Sequence, residues 1–468
     1  MESIIITFQT LNQQNKMNRL FIFCIGGTGS RVLKNLIMLL ASGAEINAKE
    51  IVPIIIDPDS GNGDLNRTIK ILKEYRSLNQ HSSANGFFST KITLMNELDG
   101  DLDENSVKLE IENTNNMSFQ NFIGFQQVSD ANKDFLSMLF SQENLDADMN
   151  VGFKGNPNIG SVVLNQLNLS PVYKAFVTHF TENDNVFIIS SIFGGTGAAG
   201  FPLLLKNIRT NQNNNHLSTT KIGSLTVLPY FKVSEDENSA ISSNGWISKS
   251  KAALNYYFSA IKPDSIFYIG EKHGATEKNS DGAASQKNKS HFVELAGSMS
   301  IFKFCQSPGE QQCYEYGIND DTEPIIFKHL HGPSSSLIRD RLTKLILFKT
   351  YYNDLITDIK NNNLPYVSKL DLNEINNSSL ESFFNHFQEW LSELKENKPA
   401  FEPFILNSVD DKFTLNIING EQKNNSFFSF FKSDKTILQN KLNKEFKSIS
   451  NKTGIDLLFS LFDINVIK

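Results

Sequence analysis

The stretch from Val186 to Leu205, VFIISSIFGGTGAAGFPLLL, constrains the fold of this chain more than any other part of its sequence. It begins as a continuous run of β-forming residues, which is typical of a strand buried on both faces of a sheet. The run breaks into a turn that contains Gly194, Gly195, Thr196 and Gly197. An apolar helix is predicted from about Phe201. Such a turn presents backbone N–H groups at the positive end of a helix, and both favour phosphate. The alternative, a tight turn that binds nothing, does not require so many glycines.

Two further glycine-rich segments accompany this one. The first follows a short apolar strand, residues 19–25, and contains Gly26, Gly27, Thr28, Gly29 and Ser30. The second precedes a stretch with helical apolar spacing, residues 161–180, and contains Gly155, Asn156, Pro157 and Gly160. Each segment alone is weak evidence, since Gly27 and Gly29 make only half of a dinucleotide-binding fingerprint. Together the three segments predict a phosphate site.

An acidic pair, Asp57 and Asp59, follows the buried strand predicted at residues 51–56. Carboxylates at the carboxyl end of a strand, after a phosphate-type loop, can meet a ribose or a hydrated Mg²⁺. They can equally begin a turn or cap the next helix. The pattern leaves both interpretations open.

Strands and helices alternate along residues 17–275, which predicts an α/β fold with a doubly wound, mainly parallel sheet. Ligands of such sheets bind at the carboxyl ends of the strands, where the glycine segments lie. Residues 1–16 are predicted to form an N-terminal arm and residues 95–150 a surface insertion. A polar linker is expected at residues 276–290, followed by a mixed α+β domain at residues 291–468.

Composition narrows the classes of partner. The net charge of −7 disfavours nucleic acid as a direct partner. No apolar run reaches the roughly 18–20 residues of a membrane helix, and the N-terminus lacks the pattern of a signal peptide. The three cysteines, Cys24, Cys305 and Cys313, have neither metal-site spacing nor the number for a disulfide framework. A cytoplasmic protein is therefore expected.

Taken together, these segments resemble the nucleotide-binding loops of the tubulin/FtsZ GTPase superfamily, and most closely its divergent bacterial tubulin-like families. Residues 194–197 match the signature G-G-G-T-G-[ST]-G, although Phe193 stands at its first glycine and Ala198 at its hydroxyl residue. Residues 155–160 resemble the A-N-P-E-V-G phosphate loop of FtsZ, with Asn158 in place of the acidic residue.

The resemblance extends over about residues 19–270. The segment Gly26–Ser30 looks like the first glycine loop of FtsZ, and Asp57 falls where that family has its N-T-D turn. Pro229-Tyr230-Phe231 with Glu235 resembles the P-F-x-x-E segment that lies near the ribose in FtsZ.

The resemblance implies that the chain binds GTP or GDP, with the three glycine segments around the phosphates and Mg²⁺ held through water by Asp57 or Asp59. It also implies head-to-tail self-association into a cytoskeletal filament, with slow GTP hydrolysis completed by a carboxylate of the neighbouring subunit. The candidates for that catalytic carboxylate are Asp320, Asp321 and, on the preceding helix, Glu294. Residues 291–468 are where other protein partners are expected to bind.

Two departures keep alternatives open. Gly270-Glu271 stand where FtsZ has the asparagine that reads guanine, so guanine and adenine are not distinguished. The poorly matched catalytic loop also fits a non-polymerising nucleotide-binding sensor or scaffold in a multiprotein bacterial system. A more remote alternative is a dinucleotide-dependent oxidoreductase using Gly27, Gly29 and Asp57, which leaves the other two glycine segments unexplained.

Overall fold

The computed structural model describes most of the chain between Lys16 and Asp463. Outside the described part lie residues 1–15, 60, 83–85, 105, 113, 115–116, 150–151, 154, 236–242, 273, 278–285, 307–311, 319–323, 331–332, 362–377, 406–416, 422–432, 450–451 and 464–468.

A seven-stranded sheet forms the centre of the described structure, in the order β3-β2-β1-β4-β5-β7-β9, and every pair of neighbours in it is parallel. Two short strands, β6 and β8, pair separately. The predicted α/β fold with a doubly wound, mainly parallel sheet is confirmed. The strands are β1 (Met17–Ile25), β2 (Ala48–Ile56), β3 (Lys91–Ile92), β4 (Asn185–Ser191), β5 (Ile222–Val227), β6 (Lys232–Val233), β7 (Ser265–Ile269), β8 (Thr276–Glu277) and β9 (Gln312–Tyr316).

The helices of the described residues cover both faces of the sheet. They are α1 (Gly26–Ala41), α2 (Gly63–Asn79), α3 (Met95–Leu98), α4 (Phe119–Phe122), α5 (Asp130–Leu139), α6 (Gln142–Leu145), α7 (Pro157–Leu164), α8 (Pro171–His179), α9 (Gly195–Arg209), α10 (Asn215–Thr219), α11 (Trp246–Ala260), α12 (Phe292–Gln306), α13 (Pro333–Lys360), α14 (Ser378–Glu396), α15 (Asp434–Phe446) and α16 (Gly454–Asp463). None of these helices combines the length and the apolar character needed to cross a lipid bilayer.

Strand β1 shows why the central strands are apolar throughout. Successive side chains of a strand point to opposite faces, and both faces of this sheet are covered by helices. Leu20 and Ile22 therefore join the hydrophobic core on the side of α1, α2 and α12. Phe21 and Phe23 join the core on the side of α7, α8 and α9, where both rings contact Phe176 at 5.0 Å.

The sheet continues past the segment predicted to be a linker, which differs from the expected domain division. Strand β9 pairs with β7 as the seventh strand, and α12 packs against α1 and β5. Both elements belong to the predicted C-terminal domain, 291–468. Their apolar residues, such as Val293 and Ile301, are fully buried in the core that also holds α1, so the polar residues before them do not mark the end of the sheet.

Candidate functional site

A cleft lies at the carboxyl ends of β1, β2 and β4. Parallel strands direct the loops that follow them to the same edge of the sheet, so segments distant in sequence meet there. Ten of the predicted site residues line the cleft: Gly26, Gly27, Thr28, Asp57, Asp59, Gly155, Gly194, Gly195, Thr196 and Gly197. The structure thus brings all three glycine segments and the acidic pair together.

Two helices begin at this cleft. Helix α1 starts at Gly26 and α9 at Gly195, and no described side chain accepts a hydrogen bond at the N-cap of either helix. By contrast, α2 is capped by Asn62, whose side chain accepts hydrogen bonds from Asp64 and Leu65. Uncapped N–H groups and the positive end of the helix dipole make such an end suitable for an anion. Because β1 and β4 are neighbours, the two helix ends lie side by side.

One glycine in each of these helices, Gly29 in α1 and Gly197 in α9, allows the helix to begin directly against the strand before it. A Cβ at Gly29 would lie 2.5 Å from the carbonyl carbon of Cys24, and one at Gly197 would lie 2.5 Å from the carbonyl oxygen of Ser191. Both distances are far shorter than real contacts, so these positions require glycine for the close approach of helix and strand. Gly29 is therefore needed for packing beneath the cleft, and Ser30 beside it is fully buried.

The glycine segment at residues 155–160 packs closely against the segment at residues 194–197. A Cβ at Gly195 would lie 2.8 Å from the backbone nitrogen of Asn156, and one at Gly160 would lie 2.8 Å from the carbonyl oxygen of Gly195. The Asn156 side chain accepts a hydrogen bond from the N–H of Asn158 at 3.0 Å, which caps α7, and Pro157 occupies the first turn of that helix. Of the predicted residues in this segment, only Gly155 lines the cleft.

Asp57 and Asp59 are both almost fully buried at the cleft, with 4% and 3% exposure. The N–H of Asp59 donates to Oδ1 of Asp57 at 3.1 Å. Burial raises the pKa of Asp57 to about 7, although that hydrogen bond, Lys108 and Arg31 act in the opposite direction. Two carboxylates directed at a pocket suit a magnesium ion that keeps part of its water shell. The described residues contain no group of three or more His, Cys, Asp or Glu side chains with metal-site geometry.

Arg31, which the sequence patterns did not indicate, forms part of the cleft wall. Its Nε donates to Oε1 of Glu294 at 2.5 Å and its Nη1 to Oδ2 of Asp64 at 2.9 Å. Its Nη2 donates to the hydroxyl of Tyr230 at 2.9 Å and to Oγ1 of Thr28 at 3.3 Å. Burial opposes the charged form, but Tyr230, Glu294 and Asp64 hold the pKa of Arg31 well above its usual value.

These contacts continue away from the cleft as a buried ionic cluster. Arg67 of α2 pairs with Asp64 at 3.3 Å and with Glu393 of α14, and Lys34 of α1 pairs with Glu393 at 3.3 Å. The members of this Arg31 cluster are Arg31, Lys34, Arg67, Asp64, Glu294 and Glu393. Three cations face three carboxylates, so the cluster is neutral as a whole, and it ties α1 and α2 to α12 and α14.

The remaining predicted site residues do not line the cleft. Glu294 is only 1% exposed and is occupied by Arg31 and Tyr230, so its position contradicts the expected role of a carboxylate presented to a neighbouring subunit. Glu235 is exposed and lies beyond the lining residues. Asp320 and Asp321 lie outside the described residues.

An aromatic wall completes the cleft. Phe193, Phe231 and Trp246 all line it, and the ring of Trp246 lies 4.7 Å from that of Phe193 and 5.2 Å from that of Phe231. Phe193 counts in the sequence as a departure from the glycine signature, yet here it supplies apolar surface. Phe231 lies in the Pro229-Tyr230-Phe231 segment expected near a ribose. Of these three aromatic residues, Trp246 alone lies outside the motifs identified in the sequence, in a segment predicted only to be helical.

Comparisons with known proteins yield little. No model of a known protein family matches the sequence, and no curated protein matches it. Among solved structures, the chain is similar to CetZ2 from Haloferax volcanii, described as a GTPγS-bound protofilament. The identity is 12%, the TM-score is 0.31, and the match covers 62% of this chain and 59% of the solved chain. A similarity at that level carries no argument about the site.

Proposed function

We propose that this chain is a divergent, tubulin/FtsZ-like protein that binds GTP or GDP in the cleft. The observation that carries the proposal is the pair of uncapped helix N-termini, α1 and α9, which lie side by side and are formed by two of the three glycine segments. Two adjacent phosphates of a nucleotide match two adjacent sets of N–H donors. A guanine nucleotide is proposed on the sequence resemblance alone.

The lining residues suggest how such a ligand is held. The backbone N–H groups of Thr28 and Thr196 lie in the first turns of the two helices and would donate to phosphate oxygens, with Gly155 closing the third side. Asp57 and Asp59 would hold the waters of a magnesium ion, which offsets phosphate charge when it is bound. The aromatic wall would receive the base and ribose, because flat apolar surfaces suit stacking.

A substitution at Gly27 tests the phosphate site. A Cβ there would lie 3.3 Å from Arg31 Nη1 and 3.8 Å from Asn62 Nδ2, so Gly27→Val fills the cleft and also presses on the guanidinium of Arg31. Gly100→Val is the matched control, because nothing lies within 4 Å of its Cβ position. We expect Gly27→Val to weaken binding of a fluorescent GTP analogue by at least about tenfold, and thermal melts of the variant measure how much stability the displacement of Arg31 costs. Equal affinity in both variants would remove the cleft as the phosphate site. Competition with ATP reports the base preference.

Head-to-tail self-association with slow hydrolysis is the second part of the proposal. The carboxylate for hydrolysis would come from Asp320 or Asp321 of the next copy, since Glu294 is occupied in ion pairs. Light scattering and phosphate release after addition of GTP and Mg²⁺ test both steps, and Asp320→Asn with Asp321→Asn should slow phosphate release without weakening binding. Nucleotide binding with neither scattering nor turnover would instead favour the non-polymerising sensor or scaffold, which the burial of Glu294 also supports.

A further inference from the structure

Two helices on the same face of the sheet expose large apolar side chains. Helix α5 exposes Phe135, Met138 and Leu139, with 59%, 83% and 52% of their surfaces accessible. Helix α11 exposes Ile247, Tyr256 and Phe258, with 64%, 52% and 89% accessible. Single exposed apolar residues are ordinary, but several on the same side of one helix indicate a surface that is covered by something else.

Helix α5 is held by few contacts of its own. No residue of α5 is buried, and Leu136 is the side chain that packs, partly buried, against the hydrophobic core beneath it. Phe135, Met138 and Leu139 follow the spacing i, i+3 and i+4, so they form one continuous strip on the outer side. This strip is the α5 patch. On α11, Tyr257 is buried against Phe201 of α9. Ile247 and Phe258 are eleven residues apart and therefore lie on one side of the helix, whereas Tyr256 lies on the opposite side. Ile247 and Phe258 are the α11 patch.

The charges around the two patches are opposite. The segment 130–148, which carries the α5 patch, contains five acidic residues and one lysine. The segment 246–262, which carries the α11 patch, contains three lysines and no acidic residue. Asp134 is exposed one helical turn before Met138, and Lys251 is exposed one turn after Ile247. Each patch therefore has a charge beside an apolar anchor, and the signs are complementary.

We propose that the α5 patch of one copy of this chain packs against the α11 patch of a second copy. The opposite charges select this pairing, because α5 against α5 would bring like charges together, and α11 against α11 would do the same. The inference rests on the self-association proposed above and names its surfaces. No residue of either patch lines the cleft, so nucleotide binding does not require the contact.

Charge reversal on each side tests the pairing in the full-length chain. Asp134→Lys and Lys251→Glu are each expected to raise the dissociation constant for self-association about tenfold, measured by sedimentation equilibrium. The double variant should recover affinity towards that of the wild type, since the pair is restored with its signs exchanged. Lys70→Glu is the control, because Lys70 is exposed on α2, on the other face of the sheet. Met138→Asp and Phe258→Asp should each weaken association by at least about tenfold, because they place a charge in the apolar contact.

The outcomes separate this inference from the proposed nucleotide site. Self-association that resists every variant, or single reversals that the double variant does not rescue, would overturn the α5–α11 pairing. A wild-type chain that stays monomeric at all concentrations would overturn it as well, and would mean that another partner covers the patches. Binding of the fluorescent GTP analogue is measured in the same samples and should be unchanged in all of them. Its absence from the wild type would instead contradict the nucleotide site.

Discussion

Replacing Glu294 by glutamine should destabilise the fold strongly, although the two side chains have nearly the same shape. The carboxylate accepts hydrogen bonds from Arg31 Nε at 2.5 Å and from the hydroxyl of Tyr230 at 2.6 Å through one oxygen. The other oxygen accepts from the backbone N–H of His291 at 3.1 Å. A glutamine that keeps its oxygen toward Arg31 turns its NH₂ group toward the N–H of His291, so two donors then face each other.

The size of the effect follows from burial. The side chains of Arg31 and Glu294 are 3% and 1% exposed, so water does not screen the charge that is left behind. The substitution changes the Arg31 cluster from neutral to a net charge of +1. Removing one partner of a buried ion pair typically destabilises a protein by about 3–5 kcal/mol. That is a large part of the roughly 5–15 kcal/mol by which most domains are stable.

Urea denaturation followed by circular dichroism measures this difference. Glu396→Gln is the matched control, because Glu396 pairs with Lys289 at 2.9 Å on the surface, where both side chains are more than half exposed. Such a surface pair should contribute about 0–1 kcal/mol. If Glu294→Gln loses no more stability than Glu396→Gln, the cluster does not stabilise the fold as argued. The difference from the wild type should also shrink at low pH. Burial alone would raise the pKa of Glu294, but Arg31 and Lys34 lower it below 4.5. The stability that this carboxylate contributes is therefore lost when it is protonated at low pH.

Three further predictions concern single residues. Burial raises the pKa of Asp57 from 3.8 to about 7 in the folded state, so the stability of the protein falls as pH rises from about 4 to 7. Asp57→Asn removes this loss and should stabilise the unliganded protein by up to about 4 kcal/mol at pH 8, but not at pH 4. Equal melting temperatures of the variant and the wild type at pH 8 would contradict this. The pKa of Glu393 is shifted in the opposite direction: burial alone would raise it, but Lys34 and Arg67 lower it to about 2. Roughly 3 kcal/mol of stability should therefore be lost as the pH falls from 4.5 to 2. Glu393→Gln should remove this dependence of stability on pH. Gly197→Ala should cost about 1–3 kcal/mol through its clash with Ser191, whereas Gly317→Ala, with nothing within 4 Å of its Cβ position, should be neutral in the same thermal melts.

The sheet was predictable because its signals are local. A strand such as β1 or β4 that is covered on both faces has to be apolar at every position, and this pattern is visible without a structure. The start of the helix that follows β4 was predicted too late, because α9 begins at Gly195 and not at about Phe201: the glycine turn is itself the first turn of the helix. The edge strand β9 was not predictable in the same way, because its short sequence, QCYEY, is mostly exposed and carries no apolar run. Its place beside β7 depends on pairing across 42 residues of intervening chain.

Within the candidate site, the glycine segments and Asp57 could be identified from the sequence, but not the part each glycine plays. Gly27 and Gly194 look alike in the sequence to Gly29 and Gly197. Only the structure shows that Gly27 and Gly194 line the cleft, that Gly29 lies beneath it and lets α1 approach β1, and that Gly197 both lines the cleft and lets α9 approach β4. The role of Glu294 could not be predicted for the same reason. The sequence of a helix does not show whether its carboxylate is exposed to a partner or buried against an arginine.

The sequence by itself determined the parallel sheet and the positions of the glycine-rich turns, because both depend on residue type and short-range spacing. Tertiary structure decided that α1 and α9 begin side by side, that Phe193, Phe231 and Trp246 form one wall, and that Arg31 meets Glu294. Those two residues lie 263 positions apart. No short-range pattern encodes such a contact, because it exists only when α12 is packed against α1 and water has been excluded from between them.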